Sequence, residues 1–386
     1  MVEHAGLTGF LWIGDAIYSG NNTLEGLVAG YENLTASMEY SAFRKSLSFV
    51  DGTWDDHDYG VNDGGRDVTE KSERQDLYLD FLFGKGAGGA ELRAREGVYH
   101  TRDVKLAQNR WLKVVFLDTR YHRGSHYIPS VGEIHLPLTA LVAAALRTTY
   151  TLLGFGRSHD ADVLGAAQWA WLERTLRESN ADFHAIVSSI QVLTSNPVVE
   201  SWGHFPMAKR RLLKLLSDTD PSGPVLLSGD VHHAELSTAT VVRGGEATSE
   251  LMEVTSSGLT HTCGTGRITS FLCPAMLRQF ADHRPFEEAT FTGKNFGHME
   301  LSSDGRALDV TVLDLDTFKP VMQHRVDAHT TLRPGPISDI IYKEFPIDAP
   351  FVVKMYSVAL LLGIFIFVVL KRLFRRKAPL KGRKSD

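Results

Sequence analysis

Between Arg110 and Leu236 the chain alternates two patterns that cannot belong to one kind of element. "RWLKVVFLDTR" (110–120), "FHAIVSSIQVL" (183–193) and "VLLSGDVHHAEL" (225–236) read as short buried strands. Between them lie "LGAAQWAWLERTLRES" (164–179) and "MAKRRLLKLLSD" (207–218), which read as helices. In the first helix Ala167, Trp171, Leu172, Thr175 and Leu176 share one apolar face. Strand, helix, strand, helix, strand implies βαβ units, hence parallel strands covered by helices. The expected class is α/β.

In such sheets reactive groups collect in the loops at the carboxyl ends of strands. Three apolar strands end that way: "GFLWIGDAIY" (9–18) on Asp15, the 110–120 strand on Asp118 and Arg120, and the 225–236 strand on Asp230 and His232. A fourth stretch, "TWDDHDYGVNDGG" (53–65), crowds Asp55, Asp56, Asp58 and Asp63 around His57 and Asn62. Carboxylates that close repel one another unless a cation sits among them. Asp oxygen and His nitrogen, with no Cys nearby, suit iron, manganese, zinc or calcium. Two such ions can share a bridging carboxylate, polarise a phosphoryl group and activate water. The Arg120 fork matches two phosphate oxygens, and His57 can protonate a leaving alkoxide.

Elsewhere "LYLDFLFG" (77–84) has helical spacing, while "KGAGGAE" (85–91) lacks the order of a phosphate-cradling loop. Residues 139–165 look partly inserted; Leu138–Leu153 carries Arg147 at its middle, which favours a buried or surface helix over a membrane span. His122, His126, His261 and His298 read as surface or structural residues, His261 being the one nearest to a functional reading. His233, directly after His232, should face away from it in a strand.

The formal charge of −5 is uneven: residues 371–386 hold eight Lys/Arg against one Asp, so the rest carries −12. An acidic body offers no nucleic-acid face. The basic tail follows "FVVKMYSVALLLGIFIFVVL" (351–370), apolar enough over 20 residues to cross a bilayer as a helix. Pro-rich residues 326–350 then form a stalk. By the positive-inside tendency the tail is cytosolic and the body lumenal or extracellular. Sequons at Asn21 and Asn33 agree, and Cys263 and Cys273 either pair or stand as two separate thiols. No signal peptide is visible, which leaves open a tail-anchored protein with a cytosolic domain.

Taken together, "LWIGDAIY", "WDDHDYGVND", "LDTRYHRG", "LGAAQWAWLERTL", "SSIQVL" and "LLSGDVHHAEL" resemble, in that order, the alkaline phosphatase D (PhoD-like) branch of the calcineurin-like metallophosphatases. The resemblance implies a four-layer fold of two packed mixed sheets flanked by helices, over residues 1–325. It implies hydrolysis of phosphomonoesters or phosphodiesters with two metals, typically iron and calcium. By the same resemblance Asp15 bridges the metals; Tyr18, Asp56, Asp230 and His232 are further ligands. His57 is the transition-state His, Arg120 grips phosphate and Asn62 supports substrate or metal. Asp55 and Asp58 read as turn caps. Family members open with one more strand and a metal-ligating residue, which precede the position of Met1 here. That departure is explained either by a start inside a longer protein or by a crippled first-metal site. It keeps a second reading open: an impaired relative that binds a phosphorylated ligand or a partner protein.

Overall fold

The computed structural model describes residues 7–87, 89–127, 139–194, 196–243, 246–264, 269–279, 283–286, 288–328, 330, 340–341 and 357. All of the expected membrane helix but residue 357, the basic tail and most of the stalk lie outside those residues. Among the described residues no helix is long and apolar enough to cross a membrane.

The chain opens with β1 (Gly9–Ile13), α1 (Leu24–Ala36), α2 (Met38–Ser46), β2 (Phe49–Thr53), the single turn α3 (Asp56–Tyr59), α4 (Lys71–Phe83) and α5 (Ala90–Ala94). It continues through β3 (His100–Lys105), β4 (Trp111–Phe116), α6 (Thr139–Leu152), α7 (Gly165–Arg177), β5 (Phe183–Ser188), α8 (Pro206–Thr219) and β6 (Pro224–Ser228). Last come β7 (Ala234–Arg243), β8 (Glu246–Ser256), α9 (Thr269–Gln279), β9 (Thr290–Phe291), β10 (Asn295–Leu301), β11 (Ala307–Asp314), β12 (Pro320–Asp327) and β13 (Ile340–Ile341).

One sheet runs β13-β7-β8-β6-β5-β4-β3, with β9 added to β7. Its centre is parallel, with Val115 opposite Ile186 and Ile186 opposite Leu226. Both edges turn antiparallel, so the sheet is mixed. β4, β5 and β6 alternate their residues between two cores, as the two-residue period of a strand requires. Val115, Ile186 and Leu226 meet Trp169, Leu172 and Leu176 of α7 and Leu212, Leu213 and Leu216 of α8. Val114, Ala185 and Val225 face the other way, onto Leu308, Val310 and Val312 of β11 and Met322 and Val326 of β12.

That opposing layer is where the structure departs from two plain sheets. Among the described residues it is two ladders, the parallel pair β1–β2 and the antiparallel β10-β11-β12. Both still pack on the main sheet, because Leu11 and Ile13 of β1 join the same core as β11 and β12. Trp12, pointing the opposite way, packs with Leu27, Tyr31, Tyr40 and Phe81 of α1, α2 and α4. The order is helices, main sheet, the two ladders, helices.

Four features differ from the sequence reading. The buried face of α7 is Gln168, Trp169, Leu172 and Leu176, with Ala167 exposed, so the helix is rotated by one residue toward the larger Trp. Residues 225–236 are not one strand: β6 stops at Ser228, and β7 leaves antiparallel to β8 after a turn. The 183–193 strand likewise stops at Ser188. Strands of the fold continue past residue 325: β12 runs to Asp327, and β13 pairs with Val241 and Thr240.

Candidate metal centre

Two glycines let three strand ends converge. A Cβ on Gly14, whose φ is +96°, would lie 2.5 Å from the Asp55 Cβ, so the turn after β1 touches the turn after β2 only because Gly14 has none. A Cβ on Gly229 would lie 2.7 Å from the Ile13 carbonyl, which fixes the end of β6 against β1 in the same way. Gly229 N–H also donates to Ser189 O at the end of β5, at 3.1 Å.

The residues that follow are held in an unusual backbone. Asp15 (φ 51°), Asp230 (φ 70°) and His232 (φ 56°) are all left-handed, a conformation rare for side chains other than Gly and concentrated at functional sites. The same turns explain why 225–236 breaks as a strand. Each reversal aims its side chain into one space.

There the carboxylates of Asp15, Asp55, Asp56 and Asp230 offer oxygens all within 4.8 Å of one another, and Asp15, Asp56 and His57 form an overlapping set. The Tyr18 hydroxyl lies 3.1 Å from Asp15 Oδ2 and 3.0 Å from His232 Nε2. His57 N–H donates to Asp15 Oδ1 at 3.3 Å, while its half-exposed ring lies tilted, 4.3 Å between centroids, against Tyr18 and its Nε2 is 4.0 Å from Asp56 Oδ1.

Electrostatics test whether a cation fits this donor set. Burial, then Asp56, Asp55, Asp58 and Asp230, raise Asp15 well above the ordinary carboxylate range. Burial, Asp55 and Asp56 do the same to Asp230, and burial chiefly pushes Asp56 up to about 6. Among the described residues, Asp55 Oδ2 and Asp56 Oδ1 are buried with no hydrogen-bond partner. Buried carboxylate oxygens are costly to leave unpaired, and a metal ion satisfies both the charge and the lone pairs. The oxygen and nitrogen donors, without thiolate, fit the harder metals.

A second ring of charge, invisible in the sequence, surrounds the first. Arg120 is fully buried; its Nε donates to Asp55 Oδ1 at 2.7 Å and its Nη1 to Glu200 Oε2 at 2.8 Å, leaving Nη2 without a partner among the described residues. Glu200 also meets Arg123 Nε at 3.3 Å and His126 Nε2 at 3.2 Å. Burial would raise Glu200, but Arg120 and Arg123 hold it well below the usual range. Glu200 stands in a strandless run, "NPVVESW", with no pattern to mark it. Asp55 caps α3 as expected, in a box with Asp58, and it also accepts from Arg120 and Ser189.

The other sequence candidates take varied places. Asp58 is a structural acceptor, as expected, bonding Ala16 N and Asp55 N at 3.1 Å each. Asp118 likewise accepts from Arg120 N, Tyr121 N and Val98 N. Asn62 is exposed on the turn after α3. His233 lies in the β6–β7 turn rather than in a strand, buried, with Nδ1 2.8 Å from Val231 O. His261 is exposed with its ring 4.7 Å from Tyr18, so it borders the site. Its loop is tied down by the Cys263–Cys273 disulfide and by Cys263 N–H donating to His232 O at 2.9 Å.

A PhoD-like phosphatase family model matches residues 101–312, more than half of the chain. That span holds Arg120, Asp230 and His232; Asp15, Tyr18, Asp56 and His57 precede it. No curated protein matches the chain. Among solved structures, "Structure of PhoD" is 13% identical, with a TM-score of 0.56 over 92% of this chain and 72% of that one. A purple acid phosphatase, PPD1 from yellow lupin (Lupinus luteus) seeds, is 11% identical, with a TM-score of 0.47 over 83% of this chain and 46% of that one. The first likeness establishes a shared fold; the second is too distant to add to it. A mixed α/β fold, an acidic cluster able to hold metal and the match over residues 101–312 lead to one conclusion: the chain belongs to the PhoD-like phosphatase family of metal-dependent hydrolases.

Proposed function

We propose that this chain hydrolyses phosphomonoesters or phosphodiesters at a two-metal centre held by Asp15, Tyr18, Asp56, Asp230 and His232. The observation that carries the reading is the meeting of Asp15, Asp55, Asp56 and Asp230 within 4.8 Å. When bound, the metals would supply the charge that polarises a phosphoryl group and eases loss of a proton from water. Iron and calcium are the pair proposed, with zinc or manganese compatible with the same donors.

The chain's own residues do the rest. Asp15, between Tyr18 and His57, is the central carboxylate. His57 gives a proton to the leaving alkoxide; its half-exposed ring beside Tyr18 supports that role. Arg120 offers Nη2 to a phosphate oxygen while Asp55 and Glu200 fix its other two nitrogens. Asn62, exposed on the turn after α3, contacts substrate from the rim.

The apolar 351–370 segment anchors the chain, with the catalytic domain lumenal or extracellular and the basic tail cytosolic. The Cys263–Cys273 disulfide supports an oxidising compartment.

The test is hydrolysis of p-nitrophenyl phosphate and bis(p-nitrophenyl) phosphate by the full chain in detergent. Metal charge is worth several kcal/mol of transition-state stabilisation, so chelation, Asp15→Asn and Asp230→Asn should each cut the rate about a thousandfold. A rate indifferent to all three would overturn the proposal.

A further inference from the structure

Arg147 lies in α6, the helix of the 139–165 segment for which the sequence suggests no role. It is 7% exposed, and its Nη2 lies 3.2 Å from Asp63 Oδ2, which is itself largely buried. Asp63 occupies a left-handed turn position (φ 49°), and its backbone N–H donates to Asp56 Oδ2 at 2.8 Å. A second arginine, Arg123, donates through Nη2 to the Asp63 carbonyl. Asp63 is therefore gripped at its carboxylate by one element and at its carbonyl by another, and its one remaining backbone donor is spent on Asp56.

We infer that Arg147 is a positioning residue for the metal centre: through Asp63 it fixes the Asp56 carboxylate. The physical need is clear from the charges present. Asp63 offers an oxygen within 4.8 Å of Asp56 and Glu200 oxygens, beside a centre already crowded with Asp15, Asp55 and Asp230. Without a cation on its carboxylate, Asp63 would be pushed from these neighbours, and a left-handed non-Gly residue relaxes readily once its restraints go. Its N–H would then leave Asp56 Oδ2. Asp56 would keep its place in the chain but lose the hydrogen bond that orients it, and partners one shell out from a ligand govern metal affinity. By this arrangement the 139–165 segment is part of the metal site although it supplies no ligand.

This inference rests on the metal centre proposed above, and one experiment separates the two. The full chain is titrated calorimetrically with Fe2+, Mn2+, Zn2+ and Ca2+ in turn, alongside Arg147→Met, Arg147→Lys, Asp63→Asn and the Arg147→Met/Asp63→Asn double variant. Arg147→Met should weaken the tightest-bound metal about tenfold or more, the effect typical of outer-shell partners. Arg147→Lys should restore most of it, and Asp63→Asn should show a similar loss that does not add in the double variant. Asp63→Asn probes the contact from the turn side, so the test survives if Arg147→Met fails to fold. Native-like affinity in both single variants, or losses that add, would overturn the inference while leaving the metal centre standing. A native chain that binds none of the four metals would overturn both.

Discussion

Arg120 Nε donates to Asp55 Oδ1 at 2.7 Å with both side chains shut off from solvent. This contact joins the loop after β4 of the main sheet to the turn after β2. It holds together two layers that share no strand hydrogen bonds among the described residues. Replacing Arg120 by Met would leave Asp55 buried with no cation beside it among the described residues, and Glu200 with Arg123 and His126 alone. Breaking a buried pair from one side typically costs about 3–5 kcal/mol. Urea unfolding of Arg120→Met should register a loss of that size in the metal-free chain. A loss under about 1 kcal/mol would fit a solvent-screened pair instead.

Asp230→Asn should change stability with opposite signs in the two metal states. Without metal, it removes one of several mutually repelling carboxylates and should leave the chain as stable as the native or about 1 kcal/mol more so. With metal at a hundredfold excess over its dissociation constant, the native chain gains about 2.7 kcal/mol, and the variant should gain far less. Thermal melts with and without chelator read both signs. Equal metal-induced gains in the two chains would remove Asp230 from the ligand set.

Away from the site, Asp51 makes an acid-sensitive link. Burial alone would raise it, but the bonds from His100 Nε2 at 2.7 Å and from Arg102 Nε lower it below its ordinary value of 3.8. A lowered folded value means stability that is present above 3.8 and lost as pH falls through the folded value. Asp51→Asn should therefore flatten the acid limb of a stability profile taken between about pH 2 and 6. An unchanged acid limb would show that other carboxylates carry it.

The Cys263–Cys273 bond closes a short loop, ten residues apart in sequence. Chain-entropy reasoning gives it about 3 kcal/mol. Because Cys263 N–H bonds the His232 carbonyl, removing the bond also frees the turn that carries His232. A Cys263→Ser/Cys273→Ser chain should melt lower and bind metal more weakly. Reduced stability with unchanged metal affinity would confine the disulfide to a structural role.

Much of this arrangement is legible in the sequence because apolar strands that end on acids announce where a parallel sheet gathers its chemistry. Asp15, Asp230 and His232 stand out by that rule, and Asp56 by the crowding of carboxylates in "TWDDHD". The second ring does not. Glu200 and Asp55 owe their place to Arg120, at sequence separations of 80 and 65, and no local periodicity records such pairs. The strand break at Ser228 was hidden for a related reason: in "VLLSGDVHHAEL" apolar residues resume at Val231, Ala234 and Leu236, and only the left-handed turns at Asp230 and His232 reverse the chain. The one-residue rotation of α7 came from counting Ala167 as part of the apolar face when Trp169, far larger, takes the core.

The most direct test of the central claim is the metal content of the full native chain beside Asp15→Asn, measured by mass spectrometry after expression with iron, calcium, zinc and manganese. A bridging Asp15 predicts two metals per native chain and at most one in the variant. Equal content in the two chains, whatever the number, would contradict it.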